Sequence, residues 1–132
     1  MAFKFKPADY TALYESGVLT IRLHGEIDHH SAKGIREQID RELFYYRAAT
    51  VILDMAEVSF MDSAGLGLIL GRYTKAAELG GMLRLLDPSP DVVRLLELAG
   101  CTALIPIEYS GQNIGRQQPV RRATTRERRK LL

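Results

Sequence analysis

Residues 59–73 read SFMDSAGLGLILGRY. Leu66, Ile69, Leu70, Tyr73 and, just beyond the stretch, Ala77 recur at three- and four-residue steps, so this segment is expected to form a helix. It carries three glycines, Gly65, Gly67 and Gly71, although each glycine in a helix interior is typically about 1 kcal/mol worse than alanine. With the periodic residues turned inward, Ala64, Gly67, Leu68, Gly71, Arg72 and Lys75 fall on the remaining surface. That surface would be small, flat and partly apolar, open to close approach by another backbone, with Leu68 as an anchor. The competing reading is that Gly67 and Gly71 receive a neighbouring helix or strand of the same domain.

Ser63 stands where an N-cap residue stands, and Asp62 is a competing cap. A bare capping role would exhaust the meaning of Ser63, but its place beside the glycine face gives it a second one. A phosphoryl group there brings about −1.5 to −2 charges to the rim of a docking surface. The helix N-terminus favours the added anion and Asp62 opposes it, so the modification is expected to be nearly neutral for folding and costly for binding.

Upstream, TVILDM (50–55) is a short run rich in β-branched residues, expected as a strand covered on both faces. Before it, Ala32, Ile35, Ile39, Leu43 and Tyr46 mark a helix with Asp28 or Ser31 able to cap its first amides. Residues 10–27, YTALYESGVLTIRLHGEI, alternate apolar and polar residues around Ser16 and Gly17 as a hairpin does. Downstream, Gly80 and Gly81 supply the left-handed stop for the glycine-bearing helix. MLRLL (82–86) reads as a strand, and DPSPDVVRLLELAG (87–100) as a helix with Pro90 near its start and Gly100 past its end. ALIPIEY (103–109) is expected as a last strand, held to a sheet edge by Pro106. Strands alternating with helices imply an α/β domain with parallel neighbours.

The whole chain has 132 residues, 46% of them hydrophobic, which suits one domain, expected over residues 1–110. No run approaches the roughly 18 apolar residues of a membrane span, and MAFKFKPADY has no secretory h-region, so a cytoplasmic protein is expected. Cys101 is the single cysteine and reads as a small buried hydrophobe, with no disulfide partner or metal-ligand spacing. From Gly111 onward, seven basic residues face one acid, Glu127, a balance of +6 that leaves −4 for residues 1–110 of a chain with net charge +2. The segment 111–132 is expected to be loose or weakly helical and able to touch an anionic partner, but it has no aromatic residue for stacking on nucleic acid. No GxSxG elbow, P-loop or GxGxxG appears, so neither catalysis nor a cofactor is expected. Asp28, His29 and His30 are adjacent at a helix start and seldom converge on one ion in that arrangement, so no metal site is expected.

FMDSAGLGLILGRY, with LHGEIDHHSA upstream and SPDVVRLLELAG downstream, resembles the STAS-domain anti-sigma factor antagonists, most closely the sporulation type acting on sigma F. The resemblance covers about Val18 to Ile107 and implies a mixed β-sheet of four to five strands with helices packed mainly on one face. It implies that an anti-sigma factor serine kinase phosphorylates Ser63, that a serine phosphatase removes the phosphate, and that the unphosphorylated form binds the kinase and releases its sigma factor. By the same resemblance Asp28, His29, Asp62, Ala64, Gly65, Gly67, Leu68 and Gly71 belong to the partner-binding surface. Two departures stand out: Ala64 replaces the Ser or Thr of many members, and the family's closing amphipathic helix gives way to Gly111, Gly115, Pro119 and a basic run. The alternatives are a STAS subunit of another signalling or lipid-transport complex, and an antagonist serving a non-sporulation sigma factor.

Overall fold

The structure is a computed structural model that describes residues 8–112. Its elements, in chain order, are β1 (Asp9–Glu15), β2 (Val18–Ile27), α1 (Ala32–Tyr46), β3 (Thr50–Met61), α2 (Ser63–Glu78), β4 (Met82–Leu86), α3 (Pro90–Leu98) and β5 (Ile107–Glu108), closed by a 3-10 turn at Ser110–Gln112. The strands form one sheet in the order β1-β2-β3-β4-β5. Only β1 and β2 are antiparallel; β3, β4 and β5 each join by a parallel pairing, with a helix or helical crossover between partners.

Ser16 and Gly17 both have positive φ (53° and 81°), the backbone of a two-residue hairpin turn whose twist matches the strands it joins. This turn fixes the register Glu15↔Val18 and so sends Leu19, Ile21, Leu23 and Ile27 to the covered face. There they meet Val51, Leu53 and Met55 of β3, Leu83 and Leu85 of β4, and Ile35, Ile39, Leu43, Ile69 and Leu96 from the helices in one buried cluster. On the sheet's other face Arg22 pairs with Asp54 at 2.6 Å and with Glu57 at 3.2 Å. The buried Asp54 carboxylate is thus matched by a cation, the condition under which a buried charge is tolerated.

Two strands differ from their sequence expectation. The strand over 50–55 continues to Met61, because register shifts between Arg22 and His24 and between Gly25 and Glu26 keep β2 paired with it past the end of the apolar run. β4 does not follow: its last pair with β3 is Asp54↔Leu86, so among the described residues β3 runs from Met55 to Met61 beside β2 alone. The last strand, expected over 103–109, shrinks to Ile107–Glu108. The Cys101 carbonyl takes the amides of Leu104 and Ile105, holding the preceding residues in turns, and Pro106 has no N–H to offer a ladder. As expected, it lies at the sheet edge. The basic segment lies outside the described residues from position 113 onward. No helix among the described residues is long and apolar enough to cross a membrane.

Candidate functional site

The parallel pair Ile27↔Met61 brings the carboxyl ends of β2 and β3 together, the position where α/β sheets commonly build their sites. The two exits are tied: the Asp62 N–H donates to the Ile27 carbonyl at 3.2 Å. Asp62 is extended (φ −105°, ψ −167°) and its side chain accepts the Ala64 N–H at 2.8 Å. Its carbonyl takes the amides of Gly65 and Leu66. Asp62 is therefore the cap of α2, and Ser63 is the first helical residue, exposed to solvent. Among the described residues the Ser63 hydroxyl enters no hydrogen bond, so the helix start does not consume it.

The loop after β2 forms the other side of the site. The Asp28 carboxylate accepts the backbone N–H of His30 and of Ser31, both at 3.0 Å. These amides, Ser31's first, hold the Asp28 carboxyl below its ordinary 3.8. Ser31 occupies the N-cap position of α1 without capping it; its hydroxyl donates to the Glu26 carbonyl at 3.1 Å. His29 is 73% exposed, with Nδ1 3.8 Å from the Asp62 carboxylate, and its ring lies 4.0 Å from that of His30. His30 thus stands beside the Asp28–Asp62 side of the site through His29. Among the described residues no three His, Cys, Asp or Glu side chains gather as a metal site.

The glycines divide. A Cβ at Gly67 or Gly71 would meet nothing within 4 Å, so no element among the described residues packs closely on either. Together with Ser63 they make a bare stripe at four-residue steps, one turn apart. Gly65 is different: it is buried, and a Cβ there would overlap the Met61 side chain and come within 3.2 Å of Ile27. Its missing side chain serves internal packing. Leu68 also leaves the expected surface, being 2% exposed in the core. The buried stripe of α2 is Gly65, Leu68, Ile69, Arg72 and Ala76, while Leu66, Leu70 and Tyr73 are only partly buried. Arg72 is drawn in by Asp40 of α1, 2.8 Å away, which rotates the helix from the phase its aliphatic residues suggest.

A second feature was missed in the sequence. Val58, Phe60 and Met61 of β3 face Val92, Leu95 and Leu98 of α3 across a groove of about 310 Å³. Phe60 and Leu98 are 52% and 79% exposed. The alternation of AEVSFM was the available signal, but it predicts a strand and says nothing of the strand's missing neighbour.

Residues 11–113 match the family model of the STAS domain. The chain is 39% identical over 94 residues to the anti-sigma F factor antagonist of Paenibacillus polymyxa, covering 71% of this chain and 80% of that protein. It is 32% identical over 94 residues to the anti-sigma-B factor antagonist of Bacillus subtilis, covering 71% and 84%. Among solved structures, the anti-sigma factor antagonist SpoIIAA in its unphosphorylated form superimposes with a TM-score of 0.66 at 31% identity, over 86% of this chain and 99% of the other. The phosphorylated form from Bacillus gives 0.62 at 31% identity, over 83% and 100%.

Proposed function

Since the chain belongs to the STAS-domain family of anti-sigma factor antagonists, we propose that its unphosphorylated form binds an anti-sigma serine kinase in the cytoplasm, releases the sigma factor, and is switched off by phosphorylation of Ser63. The observation that carries this reading is the division of labour at the start of α2: Asp62 caps the helix, leaving Ser63 exposed beside the open stripe of Gly67 and Gly71. A kinase can reach that hydroxyl without unfolding anything. The amides of Ala64, Gly65 and Leu66 are already engaged by Asp62, so an added phosphate projects outward rather than folding onto them. A penalty of about 3 kcal/mol from desolvating and crowding that charge weakens a complex roughly a hundredfold.

Asp28, His29, Asp62, Ala64, Gly67 and Gly71 form the docking rim in this reading, and a serine phosphatase returns the protein to its binding form. The partner is of the sporulation type, which is supported by 39% identity to sigma F antagonists against 32% to those of sigma B. The test is incubation with the cognate anti-sigma kinase and ATP followed by mass spectrometry. Phosphate is expected on Ser63 and absent from Ser63→Ala, which retains kinase binding. Phosphate found mainly on Thr102, Thr124 or Thr125 would overturn the assignment.

A further inference from the structure

We infer that the outer face of α1 is a second binding surface, which lies on an anionic lipid bilayer with Phe44 and Tyr45 entering the headgroup layer. Successive helical residues turn by about 100°, so Phe44 falls at the centre of the exposed arc, in line with Lys33 and Glu37. Arg41 and Tyr45 flank it on one side, Arg36 and Arg47 on the other. All of these residues are exposed, Phe44 by 62% and Tyr45 by 61%.

The face differs from the domain in the sign of its charge. Lys33, Arg36, Arg41 and Arg47 meet one exposed anion, Glu37, a balance of +3 that leaves −7 for the other residues among 1–110. The remaining acids of the helix are already engaged: Asp40 lies 2.8 Å from Arg72, and the buried Glu42 accepts the Tyr10 hydroxyl at 2.7 Å. Among the described residues none of the four cations enters an ion pair, whereas Arg22, Arg72 and Arg84 are held by Asp54, Asp40 and Glu108. A cationic strip left unpaired on an acidic body offers its contacts to an anion from outside.

The rings are held ready. Tyr46 stacks on Tyr14 of β1 with centroids 4.5 Å apart, and Tyr45 meets Tyr46 edge-on at 5.0 Å. The Arg47 guanidinium stands 4.6 Å from the centre of the Phe44 ring. Arg47 has φ 47° at a helix end where glycine is the unstrained choice, so the arginine is present in spite of its backbone. Phe44 and Tyr45 project from a convex helix face. A rigid protein surface would need matching pockets to bury them, while a bilayer interface yields to them. Lys33 to Arg47 spans about 21 Å at 1.5 Å per residue, a strip that a plane of anionic headgroups meets along its length. Aromatic rings beside Lys and Arg are the usual composition at that level of a membrane. Phe44 lies roughly 18 Å along the helix from Ala32, and the inference stands whether or not Ser63 is phosphorylated.

The chain has no tryptophan, so Phe44→Trp places a single reporter in the full chain. With vesicles of equimolar phosphatidylglycerol and phosphatidylcholine at low salt, its emission is expected to move to shorter wavelength and to lose access to an aqueous quencher. Vesicles of phosphatidylcholine alone should produce neither change, and Phe60→Trp, beside α3, should keep its emission with both. Adding Arg41→Gln and Arg47→Gln removes two cations and should weaken vesicle affinity roughly thirtyfold with the thermal melt unchanged. Binding with the reporter unshifted, as the basic residues beyond position 112 alone would give, would overturn the proposal. So would an equal shift with neutral vesicles, with polyglutamate in place of lipid, or with rising protein concentration alone. Those three results would name apolar insertion without charge, an acidic protein segment, or a second copy as what the face takes.

Discussion

Replacing Gly67 and Gly71 with alanine separates the needs of the fold from those of a partner. Both lie in the interior of α2 and both have free space where a Cβ would stand, so the substitutions meet no steric resistance. Each should then recover the helix-propensity difference, about 0.5–1 kcal/mol. Together they should stabilise the domain by about 1–2 kcal/mol, raising the melting temperature of a chain this size by roughly 4–8 °C. Binding should move the other way. Two methyl groups inserted into a closely packed interface cost about 1–3 kcal/mol in total, a loss of roughly 5- to 150-fold in affinity. Thermal unfolding and calorimetric titration with the anti-sigma kinase, on the same samples, read both quantities. A double variant that is more stable and binds as well as the parent would refute the idea that the bare stripe is a docking surface. One that is less stable would refute the open space itself.

Leu68→Ala should lower stability by about 2–5 kcal/mol in urea unfolding, as expected for a buried leucine, whereas Ser63→Ala should leave it within about 0.5 kcal/mol. Asp62→Ala removes the cap and should cost about 1 kcal/mol, with Asp62→Asn recovering most of it. In competition with sigma factor, Ser63→Asp should bind the kinase much more weakly than Ser63→Ala; equal affinities would contradict the charge-based switch. The Asp28 carboxyl is held below its ordinary 3.8, first by the Ser31 amide. A depressed folded-state value makes its stabilisation present above that pH and lost as pH falls below it. Asp28→Asn should therefore flatten the acid limb of the stability profile below pH 3.8, which acid titration followed by circular dichroism would detect.

The hairpin at Ser16 and Gly17, the three helices, and the α/β alternation were legible because each is written in local chemistry: a positive-φ turn pair, periodic aliphatic residues, Pro90 opening one helix and Gly80 and Gly100 closing two. The phase of α2 was not. Two of its five buried positions are Gly65 and Arg72, and neither looks apolar in a sequence. One is buried because the Met61 side chain fills the space of a Cβ, the other because Asp40 on a different helix neutralises it. Leu68 was accordingly assigned to the surface when it belongs to the core. The competition between Asp62 and Ser63 for the cap was visible, but its outcome depends on the extended backbone at Asp62, which the pairing of Ile27 with Met61 sets across the sheet. The free edge of β3 was invisible for a similar reason: a sequence shows where a strand runs, and only topology shows who lies beside it.

That Asp62 alone secures the first turn of α2 has a design corollary. Ser63, next to it, is exposed and its hydroxyl enters no hydrogen bond among the described residues, so the position should tolerate threonine, cysteine or a non-natural side chain with little damage to the scaffold. The domain is thus a ready host for engineered control, in which light, oxidation or a chosen enzyme replaces the proposed phosphorylation at one interchangeable residue.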